Sequence, residues 1–392
     1  MARKAPGMLE MMRELIAAPS VSSVSPQFDM GNHGISVLIG NWLEDLGFSV
    51  EIQEIPDQPG KANVIAALGR GPGGLVLAGH TDTVPYDDTG WSQDPFRLTE
   101  RDNGFYGLGT SDMKSFFALA IEAARVFEAR DLAQPLIIVG TADEESSMSG
   151  GRALAAAGKP TGRHAIIGEP TGMRPVNMHK GIFMEAIRLR GRSGHSSDPS
   201  LGINALEGMH RVIAELLVYR DELQQQWHNG AFAVPTPTLN LGYVHGGDNP
   251  NRICPECELH IDLRTLPGMT KAEIRGELRH RVRRIGEGIG LEVEFESLFD
   301  GIDALATPTA ADIVVAAEQL TGHAAEAVAF GSEGPFFSDM GMDTLIMGPG
   351  DIKRAHQPDE CIDASQLRPG VEVLQKLIQR FCVEPAPEKS TT

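Results

Sequence analysis

The sequence predicts an α/β protein: a helix-flanked mixed sheet interrupted by an inserted ferredoxin-like α+β domain. Short, wholly apolar segments alternate with segments of helical spacing in the first half of the chain, as in sheets that are buried on both faces. A later stretch follows the order β-α-β-β-α-β, which is that of a small independent layer. With 392 residues, the chain is long enough for two domains.

Composition limits the partners of the chain. It has 34 basic and 53 acidic residues and a formal net charge of -19, so it would repel nucleic acid and anionic membrane surfaces. No apolar stretch is long enough for a membrane span, and no apolar run follows the basic start, so no secretory signal is expected. Four cysteines do not suggest a disulfide framework in a chain of this size. We therefore expect a cytoplasmic protein without nucleic-acid or membrane partners.

The first half of the chain predicts the helix-flanked sheet. Helical spacing covers residues 8–16 and 34–46, and residues 48–55 alternate as a half-exposed edge strand would. Ser111 is able to cap the helix that follows it. Five short apolar segments predict strands buried on both faces: residues 63–68, 75–78, 136–139, 165–167 and 344–347.

The region 181–298 has a different pattern. Its predicted elements are a strand at 182–190, a helix at 204–223, strands at 238–244 and 257–266, a helix at 271–289 and a strand at 291–298. The candidate functional residues lie mostly before and after this stretch. We therefore expect an insertion into a discontinuous catalytic domain, formed by residues 1–180 and 299–382. The polar end of the chain, 383–392, is expected to be disordered.

Five side chains able to bind metals lie at comparable points of this pattern: His80, Asp112, Glu145, Glu169 and His356. The first four follow an apolar run or begin a helical one, so they would gather at the carboxyl edge of the sheet. Each one alone is a common surface or capping residue. Together, two imidazoles and three carboxylates suit two divalent ions, zinc foremost, with cobalt or manganese feasible. One carboxylate, such as that of Asp112, can bridge two such ions.

Two adjacent acids, Glu144 and Glu145, follow the strand predicted at 136–139. If Glu145 binds metal, Glu144 is held close to the attacking water and becomes the general base. Asp143, a third acid in the row, leaves the register open on charge alone, and a polar loop is the alternative. Asp82 lies two residues after His80, and its carboxylate could accept the second ring proton of that histidine.

Three residues of the inserted region are candidates for substrate contacts. His195 lies in a tight, exposed turn of serines and glycines, where it could donate a hydrogen bond to the oxyanion of a tetrahedral intermediate. Asn251 and Arg264 are candidates for binding a substrate carboxylate, since guanidinium groups bind it in bidentate fashion. An isolated arginine is more often a solvated surface charge, so these assignments depend on context.

The combined motifs resemble the co-catalytic metallohydrolases, a family that includes deacetylases, succinyl-diaminopimelate desuccinylase, aminoacylase and the glutamate carboxypeptidases. The resemblance covers residues 9–381 and rests on the segments 79–85 (GHTDTVP), 109–114 (GTSDMK), 143–145 (DEE) and 168–171 (GEPT), with His356. The segments 251–264 and 348–360 are most similar to the deacetylases. Around Glu333 the chain departs from the desuccinylase pattern, and no role is assigned to that residue.

The resemblance implies how the ligands divide. His80, Asp112 and Glu169 would hold one metal, and Asp112, Glu145 and His356 the other. It also implies Glu144 as the base and Asp82 as the partner of His80. In this family the inserted domain forms a homodimer contact, and the equivalent of His195 reaches the active site of the partner subunit.

The expected activity is metal-dependent hydrolysis of an N-acyl amino acid. A desuccinylase, an acetylcitrulline deacetylase or a dipeptidase would share the metal site and differ in substrate contacts. From another class, a catalytically silent metal-binding scaffold is the alternative, although such a protein would need neither Glu144 nor a full ligand set. The two-domain layout also permits the inserted domain to act as a lid.

Overall fold

The computed structural model describes residues 5–86 and 89–384. The helices are α1 Met8–Ile16, α2 His33–Asp45, α3 Lys114–Ala124, α4 Ser149–Ala157, α5 Ala205–Gln226, α6 Lys271–Ile289, α7 Asp312–Thr321, α8 Gly334–Asp339 and α9 Leu367–Ile378. The strands are β1 Ser49–Glu54, β2 Ala62–Leu68, β3 Leu75–His80, β4 Thr99–Arg101, β5 Gly104–Tyr106, β6 Leu136–Thr141, β7 His164–Pro170, β8 Val176–His179, β9 Gly181–Arg190, β10 Thr238–Gly246, β11 Glu256–Thr265, β12 Glu292–Ile302, β13 Leu305–Ala306, β14 Glu326–Val328, β15 Asp343–Gly348 and β16 Cys361–Asp363.

The chain divides into two compact units. The first contains the residues up to Asn177, then Thr307–Glu326 and the residues from Ser332 on. The second contains Met178–Ala306 and Ala327–Gly331. We expected the inserted region to end at residue 298, but β12 continues beyond that point and still pairs with β9 at Ile302.

The first unit is built on the mixed sheet. Within this unit the strand order is β1-β2-β6-β3-β7-β15. Strand β3 lies parallel to both β6 and β7, and β15 lies parallel to β7. The carboxyl ends of these four strands therefore meet at one edge of the sheet, as the apolar segments predicted.

The core of the first unit explains why these segments form strands and helices. Every residue of β3, β6 and β7 is buried, so their uninterrupted apolar pattern matches a sheet covered on both faces. Helix α3 is buried over almost its whole length, including Phe116 and Phe117. Ser111 does not cap this helix, which has no side-chain cap.

The second unit is a four-stranded antiparallel sheet with two helices. Its strand order is β10-β11-β9-β12, and the elements follow one another as β9-α5-β10-β11-α6-β12. Strand β11 alternates strictly between buried and more exposed residues, as a sheet covered on one face requires. Its hydrophobic core includes residues of both α5 and α6. The predicted ferredoxin-like layer is therefore confirmed.

Three further expectations concern single features. All four cysteines are buried and unpaired. Among residues 5–86 and 89–384, every helix is too short or too polar to cross a bilayer. A π-helical turn, Gln379–Val383, follows α9. We expected disorder from residue 383, but Val383 is the last residue of this turn, and residues 385–392 lie outside the described residues.

Candidate metal centre

The carboxyl edge of the sheet brings the predicted ligands together. His80 is the last residue of β3, and Glu169 lies near the end of the neighbouring strand β7. Asp112 lies just before α3, and the Asp112–Met113 peptide bond is cis. His80, Asp112 and Glu169 expose only 1%, 6% and 5% of their surface. These donors therefore lie in a largely dry environment, where charge interactions are strong.

Glycines allow this close approach. A side chain on Gly79 would lie 2.2 Å from the methyl carbon of Met113, and one on Gly168 would lie 2.1 Å from the ring of Phe116. Each glycine directly precedes a predicted ligand. Because neither has a side chain, the start of α3 packs against the ends of β3 and β7, and Asp112 reaches His80.

Asp112 lies between the two histidines. Its Oδ1 is 3.1 Å from Nε2 of His80, and its Oδ2 is 3.3 Å from Nε2 of His356. One carboxylate thus presents a different oxygen to each imidazole. This is the disposition that a carboxylate shared between two cations needs.

The two remaining carboxylates complete the set. Oε1 of Glu145 lies 3.0 Å from Nε2 of His356, and Oε2 of Glu169 lies 4.0 Å from Nε2 of His80. Donor atoms of His80, Asp112 and Glu145 all lie within 4.8 Å of one another. Two imidazoles and three carboxylates around one short gap match the donor chemistry of divalent zinc, cobalt or manganese.

The charge balance of the site favours a bound cation. Burial, and then the proximity of other carboxylates, holds the pKa of Glu169 well above its usual range, although His80 opposes the shift. Hydrogen bonds to Asp112 and Glu145 raise the pKa of His356 to about 10. Within the described part of the chain, neither Glu145 nor Glu169 forms an ion pair with a lysine or arginine. Buried carboxylates that lack such partners are typical of metal sites.

The tautomer of His80 is fixed by a backbone group. Nδ1 of His80 lies 3.0 Å from the carbonyl oxygen of Asp82, whereas the Asp82 carboxylate is 3.8 Å away. We predicted that the carboxylate would accept this proton. A carbonyl oxygen can only accept, so Nδ1 donates, and Nε2 is the ring nitrogen that faces Asp112. The tautomer is the one that metal binding needs, but a different atom of Asp82 selects it.

The Asp82 carboxylate orients the acidic loop instead. Its Oδ2 accepts a hydrogen bond of 3.1 Å from the backbone N–H of Glu145. Glu144, the neighbouring residue, exposes 9% of its surface. Burial and the nearby carboxylates of Glu169 and Glu145 hold the pKa of Glu144 well above its usual range, against the effect of His80. A carboxyl group with a raised pKa is suited to accept a proton and release it again.

Asp143 does not belong to this cluster. Its Oδ1 accepts hydrogen bonds from Lys61 and from the hydroxyl of Ser22, the latter at 2.5 Å. Burial raises the pKa of Asp143, but hydrogen bonds from Lys61 and Ser147 outweigh it and lower the value. This acid is therefore neutralised locally, which resolves the register that charge alone left open.

Glu333 lies behind the site. Its carboxylate is 1% exposed and is hydrogen-bonded to the hydroxyl of Thr141, the last residue of β6. The same hydroxyl lies 3.1 Å from the carbonyl oxygen of Gly79, next to His80. Burial raises the pKa of Glu333 to about 7. No role for Glu333 could be inferred from the sequence, because its hydrogen-bond partner is 192 positions away.

In the second unit, His195 has a defined tautomer. It is exposed, and its Nδ1 lies 3.2 Å from the backbone N–H of Ser197 and 2.7 Å from the hydroxyl of the same residue. A backbone N–H can only donate, so Nδ1 is the acceptor and Nε2 carries the proton. An exposed imidazole N–H is the group that an oxyanion donor requires.

Of the two candidates for carboxylate binding, Arg264 already has a side-chain partner. Nε and Nη2 of Arg264 donate to the two oxygens of Asp262 at 2.8 and 3.1 Å. The backbone carbonyl of Asn251 accepts from Ser196 at 3.1 Å. A substrate carboxylate would therefore have to share the Arg264 guanidinium with Asp262.

Glu360 is a second buried acid, after Glu333, to which the sequence assigned no role. It is 2% exposed, and its carboxylate contacts the loop of Asp112. The available signal was weak: an acid directly before the short apolar pair Cys361 and Ile362.

A sheet edge of this kind, with its histidine and carboxylate donors, defines a metal-dependent hydrolase. The chain belongs to peptidase family M20/M25/M40, whose family model matches residues 76–380. Acetylornithine deacetylases of Photorhabdus laumondii and Proteus mirabilis are each 46% identical to it over 380 residues, which cover 97% of this chain and 98% of each relative.

Solved structures share the fold. An M20 family metallo-carboxypeptidase from Sulfolobus solfataricus superposes with a TM-score of 0.76 at 16% identity, covering 96% of this chain and 99% of its own. A dinuclear metal-binding M20 peptidase from Bacillus subtilis gives 0.65 at 18% identity, covering 95% and 96%. The predicted family and fold class are therefore confirmed.

Proposed function

We propose that this protein removes the acetyl group from N2-acetyl-L-ornithine, giving L-ornithine and acetate, a reaction of arginine biosynthesis. The observation that carries the proposal is the convergence of two imidazoles and three carboxylates beside Glu144. The substrate is supported by the two relatives of 46% identity, which are named acetylornithine deacetylases.

The ligand set divides as the family resemblance implies. His80, Asp112 and Glu169 would hold one ion, and Asp112, Glu145 and His356 the other. We propose zinc, with cobalt or manganese as substitutes. When bound, such ions polarise an amide carbonyl and lower the pKa of water toward ~7.

Proton transfer falls to Glu144. Its carboxylate would take a proton from the attacking water and deliver it to the departing nitrogen as the amide bond breaks. The position of Glu144 supports this role, since it is buried directly beside Glu145, one of the proposed ligands. Asp82 would hold the loop of Glu144 in place through the backbone of Glu145.

We further propose roles for the second unit. His195 would donate its Nε2 proton to the oxyanion of the tetrahedral intermediate, acting in the active site of a partner subunit of a homodimer. Arg264 and Asn251 would orient the α-carboxylate of the substrate. The inserted unit would form the dimer contact and serve as a lid, and the protein would act in the cytoplasm.

The alternative substrates can be compared directly in one kinetic assay. A desuccinylase, an acetylcitrulline deacetylase or a dipeptidase would use the same metal centre. Rates should be measured on acetylornithine, acetylcitrulline, acetylmethionine, succinyl-diaminopimelate and a dipeptide, with metal content determined on the same sample. We expect the highest kcat/KM for acetylornithine, and a higher value for any other substrate would overturn the assignment.

The base is tested by Glu144→Ala with the isosteric Glu144→Gln beside it. Both variants should keep their metals and lose at least about 10²–10⁴-fold in kcat. A metal-replete variant that hydrolysed at the parent rate would refute the role of Glu144. Metal-replete wild-type protein without any acyl hydrolysis would favour the silent scaffold.

A further inference from the structure

The two loops that carry Asp112 and His356 are tied to each other at two points. The first tie is made by Ser111. The backbone N–H of Asp351 donates to the Ser111 hydroxyl at 3.0 Å, and this hydroxyl donates to the Asp351 carbonyl at 3.2 Å. This tie lies five residues before His356 in the chain.

The second tie is the carboxylate of Glu360, four residues after His356. Its Oε1 accepts from the backbone N–H groups of Ser111 at 2.7 Å and Asp112 at 2.9 Å. Its Oε2 accepts from the N–H of Gly109 at 3.0 Å. One side chain thus satisfies three backbone donors of the loop that presents Asp112.

The main chain of Glu360 reinforces this contact. Its carbonyl oxygen accepts from the N–H of Gly107 at 3.0 Å and from the hydroxyl of Thr110 at 3.3 Å. Just beyond it, β16 pairs with β5, so that Cys361 faces Tyr106. The start of the Asp112 loop is therefore held against the segment that begins at Glu360.

A carboxylate is the side chain that this loop requires. The loop precedes α3, which starts at Lys114, so its N–H groups have no partners in that helix. A buried N–H without a partner destabilises the folded state. Two carboxylate oxygens are able to accept all three hydrogen bonds. A glutamine has one acceptor oxygen, and its NH₂ group would face at least one N–H.

We propose that Glu360 is a positioning residue of the metal centre. By binding the backbone of Gly109, Ser111 and Asp112, it holds the Asp112 carboxylate between His80 and His356. His356 lies between the two ties, so the same contacts fix the distance between the loops that supply ligands to the second ion. This inference rests on the proposed metal centre.

The test uses Glu360→Gln in the full-length protein. Zn²⁺ affinity is measured by competition with a chromophoric chelator, and amide hydrogen exchange is followed over residues 107–112 in chelator-treated protein. We expect Zn²⁺ to bind about 10- to 100-fold more weakly than to the wild type. Exchange in the loop should be faster even without metal, and at saturating metal kcat should fall more than KM changes.

Glu185→Gln is the matched control. Glu185 is also a fully buried glutamate, but it lies in the second unit and binds Arg275 and Arg279. This control should lower stability without changing Zn²⁺ affinity or exchange in residues 107–112. If Glu360→Gln does not fold, Ser111→Ala tests the first tie, and it should weaken Zn²⁺ binding several-fold.

The outcomes separate the two claims. Wild-type protein that binds no Zn²⁺ would overturn the proposed function. Wild-type protein that binds Zn²⁺, with Glu360→Gln equal to it in affinity and loop exchange, would overturn only the positioning role. A loss in Glu360→Gln no larger than that in Glu185→Gln would overturn it as well.

Discussion

Buried glutamates in the two units of this protein differ in whether arginines balance their charge. In the second unit, Glu185 has no exposed surface and is met by the guanidinium groups of Arg275, at 3.3 Å, and Arg279, at 3.2 Å. In the first unit, Glu169 is also buried, but its only cationic partner within the described residues is the imidazole of His80, 4.0 Å away.

This difference separates structure from function. The charge of Glu185 is balanced by two arginines of the same unit. Substitutions in this cluster should therefore affect folding. Among the described residues, neither Glu145 nor Glu169 pairs with a lysine or arginine, so folding brings together negative charge that a divalent ion would offset. We infer that the first cluster is maintained for ligand binding at a cost in stability, which is common in functional sites.

The largest expected effect is on metal content. Asp112→Ala removes the oxygens that face both histidines, so it should lose both metals and all measurable turnover. Glu169→Ala removes a donor to one ion and should lose chiefly that one. Metal analysis of both variants with the wild type tests this, and an Asp112→Ala protein with full metal content would contradict the bridging role.

His195 should carry the contribution of the second unit to stabilising the oxyanion. His195→Ala removes the proposed oxyanion donor, so kcat should fall about 10²–10³-fold with metal content unchanged. Steady-state kinetics on acetylornithine provide the measurement. Retention of full kcat by this variant would confine the chemistry to the first unit.

Removing the charge of Glu185, which two arginines balance, should affect stability alone. Glu185→Gln leaves two guanidinium groups facing an amide, and we expect a loss of about 1–3 kcal/mol in the free energy of unfolding. This is below the usual value for a fully buried pair because both arginines reach solvent. Denaturant unfolding measures the change, and a drop in metal affinity would show that the two regions are less distinct than we infer.

His164 is a buried titratable residue away from the metal centre, and it tests the effect of burial without a hydrogen-bond partner. Burial, together with the charge of Arg163, lowers the pKa of His164 to about 4. Among the described residues neither ring nitrogen has a hydrogen-bond partner, and the nearest Asp343 oxygen is 3.7 Å from Nδ1. The unfolded chain therefore takes up a proton first, with a pKa near 6.5.

The contribution of neutral His164 to the free energy of unfolding is therefore fully present above about pH 6.5. It is lost as the pH falls toward 4. Between pH 7.5 and 5 the wild type should lose about 1–2 kcal/mol more than His164→Gln, which cannot be protonated. Urea unfolding of both proteins at the two pH values gives the difference. Equal losses would show that His164 is not held neutral.

Much of this comparison was predictable from the sequence. Uninterrupted apolar runs such as 75–78 and 136–139 predicted buried strands, and parallel pairing then brought their carboxyl ends together. The βαββαβ order of the inserted region was equally clear. These features depend on local patterns that recur over a few residues, which a single sequence displays.

Individual hydrogen bonds between distant segments were not predictable. The Asp82 carboxylate binds the backbone of Glu145 rather than His80, and Ser111 bonds to Asp351 rather than capping α3. Glu360 meets Asp112 across 248 positions. Such pairings depend on which backbone groups the fold leaves unsatisfied, and that is decided only once the strands have assembled.

The most direct test of the account is the metal content of protein purified without chelators, measured together with its acetylornithine hydrolysis. We predict about two transition-metal ions per chain, and loss of activity on chelation that added Zn²⁺ restores. Protein that hydrolyses the substrate while containing no stoichiometric metal would contradict the central claim.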